Sequence, residues 1–323
     1  MAAVAAPRRI RLAAMNRRFV ALPLIAAAAA LTLAGCASGA SADPSTHSDT
    51  VNVVASTDVW GDIASTVGGD HVHVTSIIDN PDKDPHEYEA DAQNQLAISK
   101  ASVVIENGGG YDDFVDTMLK SAKSDSRTVL NAVDISGKKA SGGDELNEHV
   151  WYDFPTVAKV VDKLSATYAK VDPKHASVYA KNASALKSKI AALESREATL
   201  KTTYAGVGAS ITEPVPLYML DAIGLDNKTP EKFSEAIEND SDVAPTVLKD
   251  TLALYSSHAV ALLAYNEQTT GAQTEAVLKA AKSADIPVVP VTETLPSGKT
   301  YISWMTANLN AIAAALNTSA KNT

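Results

Sequence analysis

The stretch DPHEYEAD, Asp84 to Asp91, sets His86 directly after a proline and follows it with Glu87, Glu89 and Asp91. It is either a turn that holds a solvated histidine or one piece of a metal site, and the stretch alone does not decide. Three other polar residues occupy comparable places, in loops or just after apolar runs that read as strands. They are His149 in NEHVWYD, Glu213 in VGASITEP and Glu293 in IPVVPVTET. Successive members lie 63, 64 and 80 residues apart, too far to act as local turn devices. A divalent ion takes nitrogen and oxygen donors where no thiolate is on offer. Two neutral imidazoles and two carboxylates would neutralise such an ion, whereas the same acids buried without a partner would be costly.

The elements that must position these residues alternate. VNVVAST (51–57), HVHVTSII (71–78) and SVVIENGGG (102–110) read as strands, and helical spacings lie between them. Strand–helix alternation predicts a mostly parallel sheet. A low-complexity patch, SGKKASGGDELNEH (136–149), interrupts the pattern. A helix with Pro155 in its first turn follows, and Asp172-Pro173 ends it. Residues 173–204 then form one long helical pattern, with Tyr179, Leu186, Ile190, Leu193 and Leu200 at intervals of three, four and seven and no internal Gly or Pro. At about 1.5 Å per residue it would span roughly 45 Å, enough to join two lobes. Strands at 207–214, 259–268 and 286–294 repeat the grammar, and SWMTANLNAIAAALN closes the chain as a helix. The expected fold is α/β, with two (β/α) lobes joined by one rigid helix. Ligands of such sheets bind at the carboxyl ends of the strands, which places the site in the cleft between the lobes.

The first 35 residues carry five arginines, no acid and the apolar run VALPLIAAAAALTLAG. This reads as a secretory leader, and Met15 offers a second workable start. Leu33-Ala34-Gly35-Cys36 resembles a bacterial lipobox, which implies cleavage before Cys36 and a lipid on that residue. Cys36 is the only cysteine, so an internal disulfide is excluded. The expected organisation is a leader at 1–35, a lipid-anchored tether at 36–50, an N-terminal lobe at 51–172, a linking helix at 173–204 and a C-terminal lobe at 205–323. The full chain has 28 basic and 38 acidic residues, and removing the five leader arginines takes the net charge from −10 to −15. That balance argues against nucleic acid as a partner and suits a protein that handles cations.

Between Val51 and about Leu316 the chain resembles the metal-binding lipoproteins of bacterial ABC importers for manganese and zinc. DPHEYEAD is similar to the family's D-P-H-x-Y-E-P, with Ala90 in place of the proline. NEHVWYDFP is similar to its second motif, D-P-H-x-W-L-D-P, with Asn147-Glu148 for Asp-Pro and Phe154 inserted before Pro155. ASVVIENGGGYDDF and VTETLPSGKTYISWMTANLNAIAAAL match further segments. The resemblance implies metal ligation by His86, His149, Glu213 and Glu293, the last standing where an aspartate is usual. Glu267 is the substitute if either acid fails, and Glu213 has a rival reading as a cap for the helix near Pro216. Asp84, Glu87, Glu89 and Asp153 are candidate acceptors for the second imidazole N–H. His71 and His73 read as surface residues, His175 and His258 fall at no ligand position, and Trp60, Trp151 and Trp304 read as core between the lobes.

The expected function is capture of a divalent transition ion, Mn2+ or Zn2+, outside the cytoplasm. The cargo would pass to an ABC permease and its ATPase. The protein itself would be a monomer held to the membrane face by lipid on Cys36, with no catalysis. A glutamate as third ligand and a linker patch without histidine point to manganese, although Zn2+ outcompetes Mn2+ at most nitrogen/oxygen sites. An adhesin or metallochaperone on the same fold is the alternative. A metallohydrolase is disfavoured because no HExxH or G-x-S-x-G motif occurs.

Overall fold

A computed structural model describes residues 50–80, 88, 91–140 and 146–322. The expected leader, Cys36, most of the tether and His86 with Asp84, Glu87 and Glu89 lie outside these residues.

The N-terminal sheet starts from β1 (Val51–Thr57), a β-branched run buried along almost its whole length. α1 (Asp58–Gly68) follows without a loop, with Asp58 at the positive end of its dipole. β2 (Val72–Ile78), α2 (Ala92–Lys100), β3 (Val103–Glu106), α3 (Asp113–Ser121), β4 (Thr128–Asn131) and the short α4 (Ala132–Ser136) complete the unit. α5 (Phe154–Val171) has Pro155 in its first turn, as expected. Pairing is parallel throughout, in the order β2-β1-β3-β4.

The C-terminal half repeats this order as β6-β5-β7-β8, again all parallel. Its elements are β5 (Gly208–Ile211), α7 (Leu217–Ile223), β6 (Asp226–Asn227), α8 (Glu231–Glu238), α9 (Pro245–Ser256), β7 (Leu263–Asn266), α10 (Ala272–Ser283), β8 (Val288–Val291) and α11 (Tyr301–Asn322). Pro290 lies within β8, where an edge strand tolerates the missing N–H. The strands are shorter than the apolar runs suggest, and β4, α4, β6 and α8 are additions to the sequence reading. β4 hides because it is a four-residue edge with Val129 exposed, and β6 because it is only two residues long.

α6 (Ala176–Tyr204) is one unbroken helix of 29 residues, preceded by a 3-10 turn at Pro173–His175. Its buried stripe is Tyr179, Ala183, Leu186, Ile190 and Leu193, at alternating steps of four and three, and it continues into Glu197. One hydrophobic cluster joins this stripe to β1, α1, β3, α5, β5, α7 and α11, so both sheets share a core. α11 also reaches back to the N-terminal half. Asp62 accepts from the Tyr301 N–H at 2.8 Å, and the Tyr301 hydroxyl donates to the Trp151 carbonyl at 2.7 Å. Trp304 packs edge-on against Tyr152 at 5.6 Å, and Trp60, Trp151 and Trp304 are all buried, as the sequence suggests.

Glu197 interrupts an otherwise apolar stripe. It is 5 % exposed, and its Oε1 has no hydrogen-bond partner. Burial, reinforced by Glu194 and Asp153, pushes its carboxyl up to about 8 from an ordinary 4.5. The folded state thus keeps a proton that the unfolded chain loses above 4.5, and this group's contribution to stability falls as pH rises from about 4.5 to about 8. Glu197→Gln should match the parent near pH 4.5 and exceed it at pH 8 by a few kcal/mol, about 4 at most. Calorimetric melting at both pH values checks this; an equal offset at both would contradict it.

Candidate metal centre

The C-terminal half presents its polar residues at the carboxyl ends of β5, β7 and β8, where the strand order β6-β5-β7-β8 changes direction. Glu213 follows β5, Asn266 ends β7 and Glu293 follows β8. Both glutamates are buried, at 4 % and 5 % exposure. A single amide joins them: Asn266 Nδ2 donates to Glu213 Oε2 at 2.5 Å and to Glu293 Oε1 at 2.8 Å. Asn266 is itself held where its backbone N–H donates to Thr212 Oγ1. Gln268 fixes the turn that carries Glu293. Its Oε1 accepts from the Glu293 and Thr294 N–H groups, and its Nε2 donates to Thr294 Oγ1. Asp58 of α1 accepts from the Leu295 N–H at 2.9 Å, so the N-terminal half grips the same turn.

His149 comes from the N-terminal half and is fully buried. Its Nδ1 donates to Asn147 Oδ1 at 2.8 Å, and its backbone N–H donates to the same oxygen. An amide oxygen is only an acceptor, so the ring proton belongs on Nδ1 and the ring's lone pair is on Nε2. Asn147 Nδ2 in turn donates to the carbonyl of Pro214, next to Glu213, and the Tyr218 hydroxyl donates to the Asn147 carbonyl at 2.6 Å. The histidine of one half is therefore tied to the glutamate loop of the other. Tyr111, fully buried, lies 5.8 Å from the His149 ring by centroid and has its hydroxyl against Glu293. It is delivered by a Gly108–Gly110 turn whose glycines all have positive φ. Asp112 closes this turn by accepting from the Asn107 and Gly108 N–H groups at 2.6 and 2.7 Å. A Cβ at Gly108 would fall 2.2 Å from the Asn131 amide, so only glycine fits there.

Like charges dominate the electrostatics. Burial, then Glu293 and then Glu238 push the Glu213 carboxyl up to about 9. Glu238, the last residue of α8, is the functional candidate that the sequence reading missed. Its Oε1 lies 3.5 Å from His149 Nε2, and its side chain is 12 % exposed. Glu148, His149 and Glu238 each place one ligand atom within 4.8 Å of the others. Beside them opens a cleft of about 690 Å³, lined by Glu148, Glu231, Glu235 and Glu238 and, among the described residues, by no lysine or arginine. One signal was available in the sequence: an acid in the last turn of a helix opposes the dipole, and α8 has no basic residue there.

The structure thus brings together His149, Glu213 and Glu293 of the expected set, and His86 falls outside the described residues. Other expectations are corrected. Asp153 does not serve the imidazole: it caps α5 by accepting from Thr156 and pairs with Lys138 at 3.2 Å. Asn147 takes the acceptor role instead. Glu213 caps nothing, since α7 begins after Pro216 with no side-chain cap. Glu267 lies just past the end of β7 and is exposed, while its neighbours Asn266 and Gln268 organise the carboxylates. His71 is half-buried rather than on the surface, and stacks on His175 at 3.6 Å, with His175 Nδ1 against Asp172 at 2.6 Å.

The family model described as "Zinc-uptake complex component A periplasmic" (ZnuA) matches residues 53–315. The chain belongs to that family. It is 30 % identical over 152 residues to the manganese-binding lipoprotein MntA of Bacillus subtilis (strain 168), a match over 45 % of this chain and 48 % of that protein. It is 28 % identical over 136 residues to the manganese ABC transporter substrate-binding lipoprotein PsaA of Streptococcus pneumoniae, covering 39 % and 42 %. The chain spans about half the length of the curated relatives it matches. Its fold superimposes on the periplasmic zinc-binding protein TroA of Treponema pallidum with a TM-score of 0.69 at 18 % identity, covering 83 % of this chain and 99 % of TroA. FpvC of Pseudomonas aeruginosa, solved in complex with Mn2+, gives 0.69 at 19 % identity over 84 % and 99 %. The two parallel-sheet lobes with a long connecting helix are thus shared with solved members of this fold.

The Asn266 bridge is testable apart from any ion. In chelator-treated protein, Asn266→Ala leaves two buried carboxyls without their common donor, an expected cost of about 1–3 kcal/mol. The melting temperature should fall by several degrees. An unchanged melting temperature would mean that the amide does not hold the acids together.

Proposed function

We propose that this protein is the metal-capturing component of an ABC importer. It binds a divalent transition ion, Mn2+ or Zn2+, in the cleft between its lobes and passes it to a permease and its ATPase. The observation that carries this reading is that the two halves meet at one polar cluster: Asn266 joins the Glu213 and Glu293 carboxylates, Tyr111 stands between Glu293 and the His149 ring, and Asn147 ties His149 to the loop that carries Glu213. His86, from the segment preceding α2, completes a set of two imidazoles and two carboxylates whose charge matches a divalent ion. Membership of the family and the manganese binding of MntA and PsaA support the same reading. Lipid on Cys36 would hold the protein on the outer face of the membrane as a monomer; among the described residues, no helix is long and apolar enough to cross a membrane. The protein is a carrier and not an enzyme, a reading supported by its family and by the substrate-binding role of PsaA.

His149→Ala should abolish tight binding of Mn2+ and Zn2+ in calorimetric titrations, with the fold retained by circular dichroism. Affinity undiminished in that variant would overturn the site. Glu213 is held protonated at neutral pH when no cation is near, and a cation must displace that proton. Affinity should therefore rise from pH 6 to pH 8, and binding should release protons, read as a buffer-dependent enthalpy. An enthalpy independent of the buffer's ionisation heat would contradict this.

A further inference from the structure

We propose that Glu238 is a metal-ligating residue in its own right, and that it biases the site toward an ion that takes more than four, mostly oxygen, ligands. The proposal rests on the reading of the cleft as a metal site and goes beyond the four residues that the sequence motifs supply. Glu238 belongs to none of those motifs. It arrives from α8, an element that the sequence pattern does not announce, and ends that helix where the dipole disfavours an acid.

Geometry puts it in the site. Its Oε1 is 3.5 Å from His149 Nε2, the ring nitrogen that carries the lone pair, and its side chain is only 12 % exposed. An ion accepted by His149 Nε2 at a normal bond length of about 2.1 Å would lie within easy reach of this oxygen. Glu238 also acts electrostatically on both Glu213 and Tyr111, so it faces the centre of the cluster. Glu148 is near the same nitrogen and is half-buried like Glu238, but Glu238 is the one that ranks among the leading charges acting on Glu213. Of the two acids, Glu238 is the one placed to ligate.

The coordination chemistry then follows. Two imidazoles and two carboxylates suit a tetrahedral Zn2+ and neutralise it. A third carboxylate overcompensates the charge and adds a fifth donor. Zn2+ gains little from that, whereas an ion such as Mn2+, which prefers oxygen ligands and an octahedral set, gains a bond.

The experiment compares Mn2+ and Zn2+ affinities of the parent, Glu238→Gln and Glu238→Ala, by competition with a fluorescent chelator at one pH. Glu235→Gln, on the same helix and cleft, is the charge control. We expect Glu238→Gln to lose at least tenfold in Mn2+ affinity and less than threefold in Zn2+ affinity, with Glu235→Gln changing both by less than threefold. Equal losses for the two ions, no loss for either, or the same Mn2+ loss in Glu235→Gln would each overturn the proposal. Glu238→Gln keeps size and hydrogen-bonding capacity, and an unchanged melting temperature after chelation certifies its fold. A parent protein that binds neither ion would overturn the function proposed above; a parent that binds with unaltered Glu238 variants would overturn this inference alone.

Discussion

Two carboxylates brought to one amide hydrogen-bond donor in a dry cleft repel each other, and the rest of the fold answers to that constraint. Asn266 spans Glu213 and Glu293, and the proton that burial holds on Glu213 lowers the charge further. Neither device satisfies the site as fully as a divalent ion would, because an ion replaces repulsion by attraction to every donor at once. An arrangement that is tolerable without a cation and far better with one is what high-affinity capture needs.

Keeping the repulsion in place requires a frame that does not relax. β5, β7 and β8 fix three of the polar side chains at the ends of parallel strands, and Gln268 and Asp58 hold the Glu293 turn from two sides. The opposite wall is as firmly built. The Gly108–Gly110 turn, closed by Asp112, delivers Tyr111, and Asn147 orients His149 while hydrogen-bonding across to Pro214. Asn147 also does what a carboxylate in its place would do for the ring tautomer, without adding another negative charge to an already crowded site.

The architecture was largely legible in the sequence because its signals are periodic. Alternating strands and helices gave the parallel sheets, and the uninterrupted 3.5-residue stripe from Tyr179 to Leu193 gave the long helix. His149, Glu213 and Glu293 were legible because they follow strands or loops where α/β sheets bind ligands. What escaped was short or inverted in phase. β4 and β6 are too brief for a period to register. At the end of β7 attention fell on the charged Glu267, which is exposed, while the uncharged Asn266 and Gln268 beside it carry the hydrogen bonds that hold the carboxylates. Asp153 looked like an imidazole partner by proximity in sequence, yet the demand of a helix start for an N-cap acceptor claimed it first. Glu238 escaped because it is brought in by α8 through tertiary packing; an acid at the unfavourable end of a helix was its one local trace, and that trace does not say what the acid meets.

The shared core has a mechanical consequence. Tyr152, Trp151, Tyr301 and Trp304 lie buried where the two halves meet, in one apolar cluster with the α6 stripe. Swinging the halves apart would wet several large aromatic side chains, each worth about 1.5–3 kcal/mol when buried. A wide clamshell motion is therefore expensive, while turning single side chains at the rim of the cleft is cheap. An ion entering or leaving such a cleft would pass through a narrow opening in a stiff wall, without the halves having to part.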